Sequence, residues 1–197
     1  MKKGQLFAIA VVIAIGVVFA LTLPLSAQIK GAPVPFSADW AHYEDGQRLE
    51  GGKLYASSEG IRLEGTAGGE SFVMIYNFNR GVAWNLLKSE RMYIETVFDG
   101  DELGMGEIGQ FGTPCPPEAE ANRSGSEDLD GRRTEKWTCA VPGEGVETVW
   151  YDTRLQVPIR SEDEDGRFSL TNIKEGIQPA GLFAPPPGYT KLEIPSF

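Results

Sequence analysis

Few residues in this 197-residue chain could do chemistry, and their spacing limits what that chemistry would be. Acid–base or nucleophilic catalysis needs a base within hydrogen-bond reach of a nucleophile or acid. The single histidine, His42, stands beside no nucleophile motif, so a Ser/His/Asp arrangement has no support and His42 reads as a surface residue at a strand end. Carboxylates are plentiful but fall in solvated runs. The densest, Glu162-Asp163-Glu164-Asp165-Gly166, invites comparison with a calcium loop. Aligning Asp163 and Asp165 with the second and third ligand positions puts Ser161 first and Asn172 last, where the loop needs an aspartate and a bidentate glutamate. The run reads instead as the charged end of a hairpin. Cys115 and Cys139 with so distant a histidine make no metal-ligand set. In an oxidising compartment the two cysteines pair as a disulfide, whose loop contributes roughly 3 kcal/mol in the chain-entropy account. Asn122-Arg123-Ser124 matches a glycosylation acceptor, a pattern too short to carry weight. No catalytic, metal or cofactor site is expected.

The aromatic residues are the richer signal. Trp40, Trp84, Trp137 and Trp150, with Phe72, Tyr76, Tyr93 and Tyr151, exceed what one face of a thin sheet needs. Half of them lie between residues 72 and 95, which read as three strands, Phe72 to Phe78, Gly81 to Leu87 and Arg91 to Thr96. The connections, Asn79-Arg80-Gly81 and Lys88-Ser89-Glu90, are polar and of hairpin length. Alternation puts Phe72, Met74, Tyr76 and Phe78 on one face and Val73, Ile75 and Asn77 on the other, while Val82, Trp84 and Leu86 lie together. An antiparallel meander apolar on both faces packs one face on a core and sets the other against a second layer or a cavity. Two readings stay open: ordinary core, or a curved sheet around an apolar cavity that accepts acyl chains.

The elements that would position this meander recur about every ten residues. Phe36 to Tyr43, Lys53 to Ser57 and Gly60 to Gly65 precede it. Ser126 to Leu129, Arg132 to Ala140, Gly145 to Tyr151, Val157 to Ser161 and Arg167 to Lys174 follow. Phe98 to Phe111 has Leu103 and Ile108 near helical spacing, but Gly104, Gly106 and Gly109 each cost close to 1 kcal/mol in a helix, so a loop or frayed turn is expected. The irregular connection runs on to Asn122, long enough for a lid or binding loop. The proline-rich tail from Gln178 to Phe197 is expected to lie extended along an edge and cap the sheet. About ten strands and no long helical pattern make a mainly β chain: one antiparallel, strongly curved sheet.

Met1 to Gln5 carries Lys2 and Lys3, and an apolar run follows from Leu6 to Leu25 before Ser26-Ala27. Residues 1–27 read as a signal peptide cleaved after Ala27, with an uncleaved membrane anchor as the alternative. Residues 28–197 then form one domain with a real core. The formal charge of −10, near −12 once Lys2 and Lys3 are removed, argues against nucleic acid and anionic headgroup surfaces as partners.

The order of several short pieces resembles the periplasmic lipoprotein-carrier type, the outer-membrane lipoprotein-sorting family. They are Gly60-Ile61-Arg62 after a tyrosine-bearing strand, Gly81-Val82-Ala83-Trp84 leading to Met92-Tyr93-Ile94-Glu95, and Gly125-Ser126-Glu127 through Gly131 to Thr134-Glu135-Lys136-Trp137. Val149-Trp150-Tyr151-Asp152 to Leu155 and Pro158-Ile159-Arg160 follows, then Leu170 to Gly176, Pro179-Ala180, Leu182-Phe183 and Pro187-Gly188-Tyr189. The chain looks like a divergent branch of that family. The resemblance implies an unclosed β-barrel with few short helices or loops as a lid over an apolar cavity, binding lipids or lipid-modified proteins without catalysis. Arg62 is the candidate for the family's strand arginine. The expected cavity residues are Leu54, Arg62, Leu63, Phe72, Met74, Tyr76, Trp84, Leu86 and Tyr93. A periplasmic binding protein for acyl chains or lipoproteins is the expectation, with an envelope sensor or protein-interaction module of the same fold as the alternative.

Overall fold

Turn chemistry and alternation together produce the strands. Asp45-Gly46 and Asp130-Gly131 hold positive φ at both central positions, the backbone of a type I′ hairpin turn, and each reverses a pair of long strands. The computed structural model describes residues 31–97, 111–143 and 145–193. Its strands are β1 (Phe36–Glu44), β2 (Gln47–Ala56), β3 (Gly60–Ala67), β4 (Glu70–Asn77), β5 (Val82–Leu87), β6 (Met92–Val97), β7 (Glu120–Leu129), β8 (Arg132–Val141), β9 (Gly145–Asp152), β10 (Val157–Glu162), β11 (Arg167–Glu175) and β12 (Thr190–Lys191). A 3₁₀ turn over Ala180–Phe183 is the only helical element among the described residues named with them.

All twelve strands belong to one sheet in the order β12-β6-β5-β4-β3-β2-β1-β11-β10-β9-β8-β7. Two meanders, β1 to β6 and β7 to β11, are joined side by side where β1 pairs with β11, from Phe36↔Glu175 to Tyr43↔Arg167. The terminal strands β12 and β7 do not pair with each other, so the barrel is unclosed, as expected.

Several boundaries differ from the expectation. There are twelve strands rather than about ten. β2 begins at Gln47 rather than Lys53, because Gly51 and Gly52 let the neighbouring strand approach: a Cβ on Gly52 would run into the Glu64 carbonyl. β7 begins at Glu120, within the connection expected to be irregular to Asn122; as an edge strand exposed on both faces it needs no apolar alternation. The tail adds a two-residue strand, β12, which pairs parallel to β6, so the sheet is not wholly antiparallel. Residues 1–30, which hold the expected targeting segment, and 98–110, most of the expected loop, lie outside the described residues. Among the described residues no helix is long and apolar enough to cross a membrane.

One face of the sheet carries a single cluster running from β4 across β1 to β10, with Phe36, Leu54, Ile61, Leu155 and Val157 fully buried. The face that carries this main cluster is the inner one. Leu155 reaches it because Asp152 shapes the β9–β10 turn: its Oδ1 accepts the N–H groups of Arg154 (2.9 Å) and Leu155 (3.0 Å). Its Oδ2 takes Nε of Arg132 at 2.5 Å, and Arg132 also reaches Glu175, tying β8, β9 and β11 together. The disulfide Cys115–Cys139 forms, and with Val149 makes a small separate cluster. The acidic run is the β10–β11 turn, in which Asp163 Oδ1 accepts the N–H groups of Asp165 and Gly166, a charged hairpin end.

Candidate functional site

The register across β2 to β6 assigns every candidate to a face. Leu54, Leu63, Met74, Asn85 and Ile94 stand in one row, and Ile61, Tyr76 and Ala83 in the next, with Phe72 opposite Gly65. These are the inner face. Arg62, Ile75, Trp84 and Glu95 form a row of the opposite phase, as do Glu64 with Val73 and Leu86 with Tyr93. These are the outer face. The nine candidates therefore do not make one lining: Leu54, Leu63, Phe72, Met74 and Tyr76 gather on the inner face, while Arg62, Trp84, Leu86 and Tyr93 gather on the outer.

The two faces are covered differently. On the outer face, Val73, Ile75, Val82, Trp84 and Leu86 are buried, with Tyr93 and Tyr189 packed against them. Tyr189 belongs to the tail, which crosses this face. Asn77 Nδ2 donates to the Phe183 carbonyl at 3.0 Å, Arg62 Nη1 to that of Leu182 at 3.3 Å, and the N–H groups of Thr190 and Leu192 donate to the carbonyls of Arg91 and Tyr93. Phe183 is 1% exposed and sits over Gly60, where a Cβ would crowd it. Trp84 Nε1 donates to Glu95 Oε2 at 2.9 Å, Arg80 stacks over the indole, and Tyr93 meets it edge-on. Hydrogen bonds from Trp84 and then Lys191 hold the Glu95 carboxyl below its usual range. Arg62 is further paired with Glu64 at 2.5 Å. The tail thus forms a second layer rather than only an edge cap, a role that its prolines concealed and that Phe183 and Tyr189 signal.

On the inner face nothing comparable lies over β3 to β6 among the described residues. Leu54, Ile61 and Tyr76 are buried in the main cluster, and burial pushes the Tyr76 hydroxyl pKa up. Toward the β6 edge the cover thins: Leu63, Phe72, Met74, Ala83, Leu87, Met92 and Ile94 are all half-buried. Trp40 bounds this strip, tilted against Phe72 at 6.0 Å with its Nε1 donating to the Glu64 carbonyl. The strip is aliphatic and aromatic with Asn85 as its polar member, a surface suited to apolar contact rather than proton transfer. Among the described residues no group of His, Cys, Asp and Glu is placed to hold a metal ion.

A single curved, unclosed sheet with a half-covered inner face defines the class of the protein as a half-barrel. Solved structures place it among similar folds. It is similar to an uncharacterised conserved protein from Thermus thermophilus, at 13% identity over 81% of this chain and 90% of that one, with a TM-score of 0.56. It is similar to MucB at 12% identity, over 79% of this chain and 57% of that one, with a TM-score of 0.51. The corresponding figures for PNGF-II are 13%, 81%, 31% and 0.51, so the chain spans only part of the latter two proteins. A putative outer membrane lipoprotein-sorting protein domain from Vibrio parahaemolyticus is also among the similar structures, at 10% identity over 75% of this chain and 88% of that one, with a TM-score of 0.34. No protein-family model matches the chain, and no curated protein matches it significantly.

Proposed function

We propose that this chain is a non-catalytic periplasmic binding protein that takes the acyl chain of a lipid, or of a lipid-modified protein, against the inner face of β3 to β6. The observation that carries the reading is the asymmetry of one meander. Its outer face is sealed by the chain's own tail, while among the described residues the apolar inner face is left half-covered. A contiguous apolar strip left partly open to water marks an interaction surface. An acyl chain of about a dozen methylenes would gain on the order of 10 kcal/mol there before entropy losses, at about 0.8 kcal/mol per buried CH₂. Export by residues 1–27 accords with the disulfide.

A second reading, an envelope protein-interaction module, is favoured by the outer edge of β7, ten residues of backbone that pair with no further strand among the described residues and to which a partner strand could add. MucB has been solved in complex with MucA.

Native mass spectrometry of protein purified gently from the periplasm, followed by solvent extraction, tests the first reading. A copurified lipid or acylated peptide supports it. A homogeneous apo protein that takes up neither added phospholipid nor acylated peptide rejects it in favour of the second.

A further inference from the structure

A separate cleft lies beyond the β1–β11 seam, where β10 and β11 part. Their ladder is three pairs long and stops at Arg160↔Ser169, whereas β11 runs on along β1 to Glu175. The strands beside the gap are irregular on their far sides, β1 against β2 near Tyr43 and β10 against β9 at Ile159, and such bulges re-aim side chains. The space is about 200 Å³, closed on one side by the β7–β8 turn at Leu129 and Asp130.

Its floor is apolar, supplied by Leu129, Ile159 and Leu170 from the main cluster and its margin. Its walls carry Arg160 and Arg167 and the hydroxyls of Ser169 and Thr171. The Arg167 guanidinium lies over the Tyr43 ring at 4.4 Å, and its Nε is buried without a hydrogen-bond partner. A buried charged donor left unpaired is costly, and a native protein normally satisfies it. Arg160 differs: it is paired with Glu162 and stacked at 4.9 Å over Trp150, so it is held in place rather than vacant.

We propose that this cleft binds a singly charged phosphodiester. Two guanidinium groups and two hydroxyls surround the cleft, and the tetrahedral diester spreads its two anionic and two ester oxygens toward donors on several sides, whereas a planar carboxylate presents its two oxygens to one side. The Asp130 carboxylate at the wall and the acidic chain as a whole disfavour a dianion. The apolar floor accepts the carbon substituents of the diester. The inference goes beyond acyl-chain binding and does not depend on it, because the two surfaces share no side chain named for either.

The test follows the Arg167 Nε–H resonance by NMR in the ¹⁵N-labelled protein. Dimethyl phosphate represents a free diester, short-chain phosphatidylglycerol below its micelle concentration a lipid headgroup, and acetate a carboxylate control. The expected result is a saturable shift with the diesters and none with acetate at equal concentration. Arg167→Lys, read from the Ser169 and Thr171 amides, is expected to weaken binding about tenfold, since an ammonium keeps the charge but loses the planar fork. Ser169→Ala, expected to weaken binding several-fold, serves if Arg167→Lys does not fold. Tighter binding of phosphatidylglycerol than of dimethyl phosphate assigns the site to a headgroup; equal binding assigns it to free diesters. No shift with either diester, or an equal shift with acetate, overturns the proposal.

Discussion

Two substitutions on opposite faces of one meander separate binding from stability. Trp84 is 1% exposed beneath the tail. Trp84→Ala removes that packing at about 3–5 kcal/mol, and the lost hydrogen bond to Glu95 adds roughly 1 kcal/mol. Against a total stability of about 5–15 kcal/mol, the variant should be poorly folded or melt far below the parent. Met74, one pleat away on the inner face, is only half-buried. Met74→Asp leaves its carboxylate able to reach water, so the loss of stability should stay near 1 kcal/mol. An acyl chain laid over it would strip that charge of water at several kcal/mol, enough to reduce affinity at least a hundredfold. Urea unfolding followed by tryptophan fluorescence measures stability, and displacement of an environment-sensitive fatty-acid probe measures binding. A folded Met74→Asp variant that binds the probe like the parent would refute the assignment of the inner face. So would Trp84→Ala losing the probe at unchanged stability.

Other outcomes are expected. Phe183→Ala should destabilise by about 3 kcal/mol and expose the amides of Thr190 and Leu192 to hydrogen exchange, because the ring anchors the tail over Gly60. Reducing Cys115–Cys139, which spans 24 positions, should lower unfolding free energy by roughly 3 kcal/mol in denaturant titrations. Glu147 accepts a hydrogen bond from Ser161, but burial, the larger effect, pushes its carboxyl above the ordinary range. A raised pKa means that its stabilising contribution is full below the unfolded-state value and is lost as pH rises through the folded value. Glu147→Gln mimics the protonated form, so it should melt above the parent at neutral pH, with the gap closing in acid.

Much of the sheet was legible because period-two alternation is a direct record of burial on one face. Phe72 to Phe78 and Gly145 to Tyr151 coincide closely with β4 and β9. What alternation does not record is which phase points inward, since a one-residue slip exchanges the faces. That is why the sequence alone groups Trp84, Leu86, Tyr93 and Arg62 with Leu54 and Met74 although the register sets them back to back. The start of β7 escaped for the complementary reason: Glu120-Ala121-Asn122-Arg123 is exposed on both faces and has no pattern to show. The tail's second layer depends on contacts about a hundred residues apart, such as Asn77 with Phe183, which no local window contains. The cleft depends on a ladder that stops early, a feature of backbone pairing rather than of residue type.

The seam between β1 and β11 gives this sheet a timetable. Every other antiparallel ladder joins strands that are neighbours in sequence, and each can zip from its own turn or connection as soon as both strands are available. The seam joins Phe36 to Glu175, so it forms only when nearly the whole chain is present, and closing so large a loop is the slow step that high contact order predicts. Until then β1 offers an unpaired edge beside the apolar residues Phe36, Ala38 and Trp40. A chain threaded from its N-terminus would hold that sticky edge open for the longest interval that its length allows, which makes β1 the place where a holding chaperone would act and where misassembly between copies would begin.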